Sequence, residues 1–226
     1  MAWYNKNMRK TEFACGEHYH IFNRGVDKRK IFLSDRDYQR FLISMELLND
    51  ERDGLMEEWR NFKKNNPKAA FSDFRELGSR KPLVSFVVFC VNPNHYHFIL
   101  RQRKQKGIER FMHKLGTSYT NYFNVKNKRK GSLFQGKFKA IHIDSNEYLL
   151  YLSAYINKNN FIHGYNKNDS WKYSSLQEYL SSEGRGLCDK KVVLGQFANR
   201  KECADFMEKN AQYLKKKKED ERYILE

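Results

Sequence analysis

Along the first 160 positions apolar and polar residues alternate in short blocks, and the period of alternation changes from block to block. Residues 18–24 (HYHIFNR) predict a short first strand, ended by Gly25. Ser34 then opens a helix, with Asp37 three residues later to complete a capping box. Tyr38, Phe41, Leu42, Met45 and Leu48 recur at three- and four-residue spacing, which gives that helix one buried face. From residue 50 to 81 the pattern dissolves into charged sequence, an insertion predicted to be helical over 55–62 and to stand outside the core. Residues 82–91 (PLVSFVVFCV) are rich in β-branched and aromatic side chains, and 95–101 (HYHFILR) follow across Asn92, Pro93 and Asn94, so the two predict a hairpin. A basic turn over 101–106 leads into a second helix striped with Ile108, Phe111, Met112, Leu115, Tyr119, Tyr122 and Phe123. Residues 126–130 form a basic loop and 134–143 predict another strand. Ser145 caps a third helix that runs to about Asn159 or Asn160.

Strand, helix, strand, strand, helix, strand is the order of a ferredoxin-like α+β fold, an antiparallel sheet with two helices on one face. The third helix lies outside that plan. Residues 1–160 are therefore expected to form one domain with an insertion at about 50–81. Residues 161–226 are expected to form a partly helical C-terminal extension, with an aromatic segment (171–180) and a solvated basic tail over 215–222.

Composition changes this picture in one respect. A formal charge of +16 over 226 residues attracts polyanions and makes a nucleic acid the expected partner. Cys15, Cys90, Cys188 and Cys203 are scattered without a CxxC pair, the usage expected of reduced thiols in a cytoplasmic protein. No signal peptide or membrane span is expected from the apolar runs, nor any small-molecule cofactor.

Candidate chemistry lies on the hairpin and the third helix. His-x-His on a strand turns both imidazoles to one face, where they can share a metal ion. The pattern occurs twice, at His18–His20 and at His95–His97. The second sits in the hairpin; the first lies near an expected edge or loop entrance and reads as structural. On the third helix Tyr151, Tyr155 and Asn159 are four residues apart and share a face, beside a packing face of Leu149, Leu152 and Ile156. A phenol is a poor nucleophile unless its target is polarised, which a divalent ion bound to a phosphodiester would do. Asn159 can offer an amide oxygen, and two imidazoles with one amide oxygen suit Mg²⁺ or Mn²⁺. On the residues alone Tyr148, Tyr151 and Tyr155 read slightly better as amphipathic packing residues.

Residues 87–100 (VVFCVNPNHYHFIL), 118–123 (SYTNYF), 132–140 (SLFQGKFKA) and 148–160 (YLLYLSAYINKNN) resemble the single-tyrosine HUH transposases. They are most similar to the REP-associated tyrosine transposases, and 20–25 (HIFNRG) and 171–180 (WKYSSLQEYL) carry the same likeness. The resemblance implies an enzyme that binds hairpin-forming single-stranded DNA. Its tyrosine attacks the backbone to leave a 5′-phosphotyrosine link and a free 3′-hydroxyl, and a second 3′-hydroxyl reverses the step. It makes His95 and His97 the metal pair, Asn159 the third ligand and Tyr155 the nucleophile. It is compatible with a monomer or a homodimer. Asn160 stands where the family often has proline, a departure that should lengthen the helix slightly. The candidate DNA contacts are Arg101, Arg103 and Lys104 after the histidine strand, Lys128, Arg129 and Lys130 in the basic loop, and Lys137 and Lys139, which should share a strand face. The alternative is a nucleic-acid-binding regulatory module that keeps the fold without turnover.

Overall fold

Two apolar segments joined by Pro93–Asn94 form the hairpin at the centre of the molecule: β2 (Val84–Asn92) pairs with β3 (His95–Gln102), and Asn92 faces His95 across the turn. The computed structural model describes residues 11–165, 171–181 and 186–223. Among these, β1 (His18–Arg24) and β4 (Lys139–Ile143) complete an antiparallel sheet in the order β2-β3-β1-β4. Helices α1 (Asp35–Leu47) and α4 (Gly107–Lys126) make the two ferredoxin-like crossovers. The insertion between α1 and β2 carries α2 (Leu55–Asn65) and α3 (Phe71–Arg75), which close a small apolar cluster of their own around Leu47, Leu55 and Phe74.

Strand periodicity sorts the side chains. Tyr19, Ile21, Tyr96, Phe98 and Leu100 point to the face covered by Tyr38, Phe41 and Met45 of α1 and by Phe111, Leu115 and Tyr119 of α4. Val88, Cys90 and Ile99 point the other way. There they meet α5 (Asn146–Asn157), α7 (Leu176–Leu180) and α9 (Arg200–Tyr223), through Leu149, Leu152, Ile156, Tyr179 and Met207. The short α6 (Asn159–Ile162) and α8 (Lys191–Leu194) lie in the same connection. Burial on both faces explains why β2 reads as an unbroken apolar run rather than an alternating one.

The first helix starts as the sequence predicts. Asp37 Oδ2 accepts from the backbone N–H of Leu33 (2.9 Å) and of Ser34 (3.0 Å), and its other oxygen accepts from Tyr122 and Lys126 of α4. Three expectations are corrected. β4 is shorter than 134–143, because Gly136 adopts φ +86° and its carbonyl accepts from Asn23 Nδ2 (3.1 Å). Residues before Lys139 therefore curl over the end of β1, and Phe134 keeps only an isolated bridge to Gly25. β1 is an interior strand bonded to both β3 and β4, not an edge. The third helix is broken at Lys158 (φ −102°, ψ 12°), so Asn159 begins α6 instead of ending α5, although helical structure does persist past Asn160 to Ile162.

Gly107 sets how closely α4 approaches the sheet. A Cβ there would stand 2.4 Å from the carbonyl oxygen of Leu83, which also accepts from Arg103 N. Gly107→Ala is expected to cost about 1–2 kcal/mol, the overpacking penalty outweighing alanine's helix propensity of about 1 kcal/mol. Urea unfolding measures it, and an unchanged midpoint would show that the contact relaxes freely.

Candidate functional site

His95 opens β3 with its imidazole held at both nitrogens. Asn94 Nδ2 donates to the carbonyl of Lys28 (3.0 Å) and Asn94 Oδ1 accepts from the Tyr165 hydroxyl (3.0 Å), so the orientation of that amide is fixed. His95 Nδ1 lies 2.6 Å from Asn94 Oδ1 and must carry the hydrogen. Its Nε2 is left with a lone pair, 3.0 Å from Asn159 Oδ1 and 3.1 Å from Asn92 Nδ2. Asn92, fully buried, also donates to Asn159 Oδ1 at 2.6 Å.

His97 stands two residues along on the same face, its ring edge-to-face with His95 at 5.1 Å between centroids. Its Nδ1 is 2.8 Å from His20 Nε2. The half-buried Tyr155 of α5 meets the His97 ring edge-to-face at 5.8 Å. Thus His95, His97, Tyr155 and Asn159 gather in one place. Tyr151, one turn earlier, is exposed at 39% and lies beside Tyr213 of α9.

The break at Lys158 explains how Asn159 reaches His95. In the NKNN segment the first three polar side chains answer to tertiary partners. Asn157 Oδ1 accepts from Ser175 Oγ (2.7 Å), the buried Lys158 ammonium pairs with Glu208 of α9 (2.6 Å), and Asn159 Oδ1 accepts from Asn92 Nδ2, which brings it beside His95. These bonds override the propensity for one continuous helix.

Burial decides the protonation of the imidazoles. Desolvation pushes His20 down to about 3 and His95 down to about 4; at His95 the Asn159 Oδ1, an acceptor for a protonated Nε2, opposes the shift, and Arg24 and Lys218 add to it. His97 lies well below the ordinary histidine value, by desolvation first and then by the neighbouring His20 and His95. All three are neutral near pH 7, the state in which imidazole binds a metal.

Several residues at the site went unread in the sequence. Arg24 faces His95 across the β1–β3 pairing and is exposed. The ring of His163 lies 5.5 Å from that of His95, and Lys218 Nζ is 2.7 Å from His163 Nδ1. Lys215 stacks its ammonium over Phe161 at 4.4 Å. The lysine run expected to be a solvated tail is therefore the last part of α9, and two of its members reach α6 beside the histidines. The signal for this was present in the sequence as apolar residues Cys203, Met207 and Ala211 at four-residue spacing, all buried.

The basic candidates separate into groups. Arg101, Arg103 and Lys104 sit at the far end of β3, about 20 Å along the strand from His95 at roughly 3.4 Å per residue. Arg101 donates to the carbonyl of Gly16, and Lys104 lies 3.5 Å from Glu51. Lys128, Arg129 and Lys130 lie at the His95 end, where Leu133 O accepts from Val26 N; Arg129 is engaged by Asn124 and Ser132. Lys139 pairs with Phe22, which faces His97, so it shares the histidine face two strands away. Lys137 precedes β4 and does not share a strand face with it.

Residues 63–159, which hold all four gathered residues, match the family model described as "Transposase IS200 like". This stretch is similar to the IS200-like transposases. The family resemblance read from the motifs is borne out there, and the likeness in fold extends further. The solved structure of a REP-associated tyrosine transposase bound to a REP hairpin superposes with a TM-score of 0.51 at 17% identity, over 80% of this chain and 88% of that one. No curated protein matches the chain. Among the described residues no helix is long and apolar enough to cross a membrane. No group of three or more His, Cys, Asp or Glu among them is placed to hold a metal.

Proposed function

We propose that this chain cuts and rejoins single-stranded DNA at hairpin-forming sequences, through a 5′-phosphotyrosine link on Tyr155. The observation that carries this reading is the ring of Tyr155 set against His97, with two acceptors beside it, His95 Nε2 and Asn159 Oδ1, 3.0 Å apart and both facing Asn92 Nδ2. That spacing and donor chemistry fit a divalent cation, which His95, His97 and Asn159 would hold. Mg²⁺ or Mn²⁺ bound there would draw charge from the scissile phosphate and make phosphorus a better electrophile.

The chain's own residues do the rest. The Tyr155 oxygen bonds to phosphorus as the bond to the 3′-oxygen breaks; the phenol gives up a proton and the departing 3′-oxygen gains one. Attack by another 3′-hydroxyl reverses both changes, so no outside energy source is required. Arg24 and Lys218, the cations acting on His95, would hold backbone phosphates, with Lys128, Lys130 and Lys139 extending the track. Because the ligands are neutral and these neighbours positive, ion and DNA should bind more tightly together than apart. The fold-matched transposase is bound to a REP hairpin, which supports hairpin DNA as the substrate class. We place its work in the cytoplasm, where free cysteines stay reduced. Residues 1–160 would form the catalytic domain, and 161–226 a brace on the tyrosine helix.

End-labelled single-stranded hairpins drawn from repeats flanking the gene test this reading. With Mg²⁺ or Mn²⁺ a labelled protein adduct and a free 3′-hydroxyl fragment are expected on denaturing gels, and EDTA should prevent both. Tight hairpin binding without adduct under either metal would establish the binding module instead.

A further inference from the structure

The first His-x-His segment has no place in the chemistry above, yet its second histidine touches a member of the site. We propose that His20 is a positioning residue for His97: His20 Nε2 accepts the Nδ1–H of His97 and so fixes the tautomer that leaves His97 Nε2 bare. The inference rests on the metal reading of His95 and His97.

Three observations carry it. The pairing of β1 with β3 sets Phe22 opposite His97 and His20 opposite Ile99, so His20 lies diagonally beside His97 on the same face, with 2.8 Å between the two nitrogens. Between two neutral imidazoles one nitrogen must donate and the other accept. The rings of His20, Phe22 and His97 are near-parallel, with interplanar angles of 17–28° and centroids 4.7–5.5 Å apart, the geometry in which the two imidazoles meet edge to edge through their nitrogens. The remaining ring nitrogen of His20, Nδ1, is buried and has no hydrogen-bond partner.

That unpartnered nitrogen separates a positioning role from packing. With His20 Nε2 as acceptor, the hydrogen of His20 sits on Nδ1, a buried donor left unsatisfied, which is unfavourable. A phenylalanine would fill the same slot without that penalty, so packing alone gives no reason for an imidazole. Metal-binding histidines commonly donate their second ring N–H to a fixed acceptor, which sets the tautomer. His95 has such an acceptor in Asn94 Oδ1, and His20 supplies the equivalent for His97. The two His-x-His strands would thus serve one site, β3 providing the ligands and β1 the acceptor that orients one of them.

The test compares His20→Phe, which keeps a ring and loses the acceptor, with His20→Gln, which restores an acceptor oxygen. In protein labelled with ¹⁵N-histidine and free of metal, NMR shifts of His97 should report the Nδ1–H tautomer in the native chain. The tautomer should be lost or mixed in His20→Phe and largely recovered in His20→Gln. Mn²⁺ binding followed by EPR should weaken about 10- to 100-fold in His20→Phe, with substantial recovery in His20→Gln. An unchanged His97 tautomer and Mn²⁺ affinity within twofold in His20→Phe would overturn the inference. His97→Ala is the control: if it weakens Mn²⁺ binding while His20→Phe does not, the inference fails alone, and if neither does, the metal reading fails with it. Should His20→Phe not fold, a native-like tautomer in His20→Gln supports the inference and a scrambled one overturns it.

Discussion

Tyr155→Phe is expected to lower covalent adduct formation on a labelled hairpin by at least about 10⁴-fold, the scale seen when a nucleophile is removed from an otherwise intact site. Hairpin binding should stay within about twofold. The substitution removes one oxygen and keeps the ring that packs against His97, so the edge-to-face contact survives. Stability should fall by no more than about 1 kcal/mol, the worth of an ordinary side-chain hydrogen bond. Tyr151 is a poor substitute, because it is exposed one turn earlier and lies beside Tyr213 of α9, away from His97. Tyr151→Phe should therefore leave adduct formation nearly unchanged. Gels of both variants beside the native chain decide the matter: an adduct that survives in Tyr155→Phe moves the nucleophile elsewhere and removes the main support for the proposed chemistry.

Local pattern was enough to locate β1, the hairpin, the capped start of α1 and the stripe of α4, because each is set by neighbours within a few residues. It also selected His95, His97, Tyr155 and Asn159, which the fold brings together. What escaped depends on contacts distant in the chain. That β1 is interior, so that His20 lies against His97 and not at an edge, follows from strand order, which the period of a single strand does not contain. The break at Lys158 comes from an ion pair with Glu208 and from the hydrogen bond that Asn92 donates to Asn159, partners 50 and 67 residues away. Arg101, Arg103 and Lys104 are close to the histidines in number but at the other end of the strand in space. Lys218 is remote in number and adjacent to the site in space. For a basic chain, charge clusters in sequence are thus a weaker guide to the binding face than strand register is.

Acid should destabilise this protein well before its carboxylates titrate. In the unfolded chain each histidine takes up a proton as pH falls below about 6.5. In the folded chain His20 resists protonation down to about 3, His95 down to about 4, and His97 is held well below its usual value, in each case chiefly by desolvation. The unfolded state then binds more protons than the folded one, so stability rises with pH through this range. The full contribution is present above about pH 6.5 and is lost as pH falls from there toward the folded values. At pH 5, about 1.5 units below the unfolded value, His20 and His95 each cost roughly 2 kcal/mol at 1.4 kcal/mol per unit. His20 and His95 together come to about 4 kcal/mol, and His97, also held well below its usual value, adds in the same direction. Against a total of about 5–15 kcal/mol that is a large loss. Urea unfolding at pH 7, 6 and 5 in EDTA should show the midpoint falling with a slope of two to three protons, and His20→Phe should remove about one of them, by the same linkage. A midpoint that stays flat from pH 7 to 5 would mean the imidazoles are hydrated in solution. They would then lack the dry, neutral setting on which both the metal reading and the role of His20 depend.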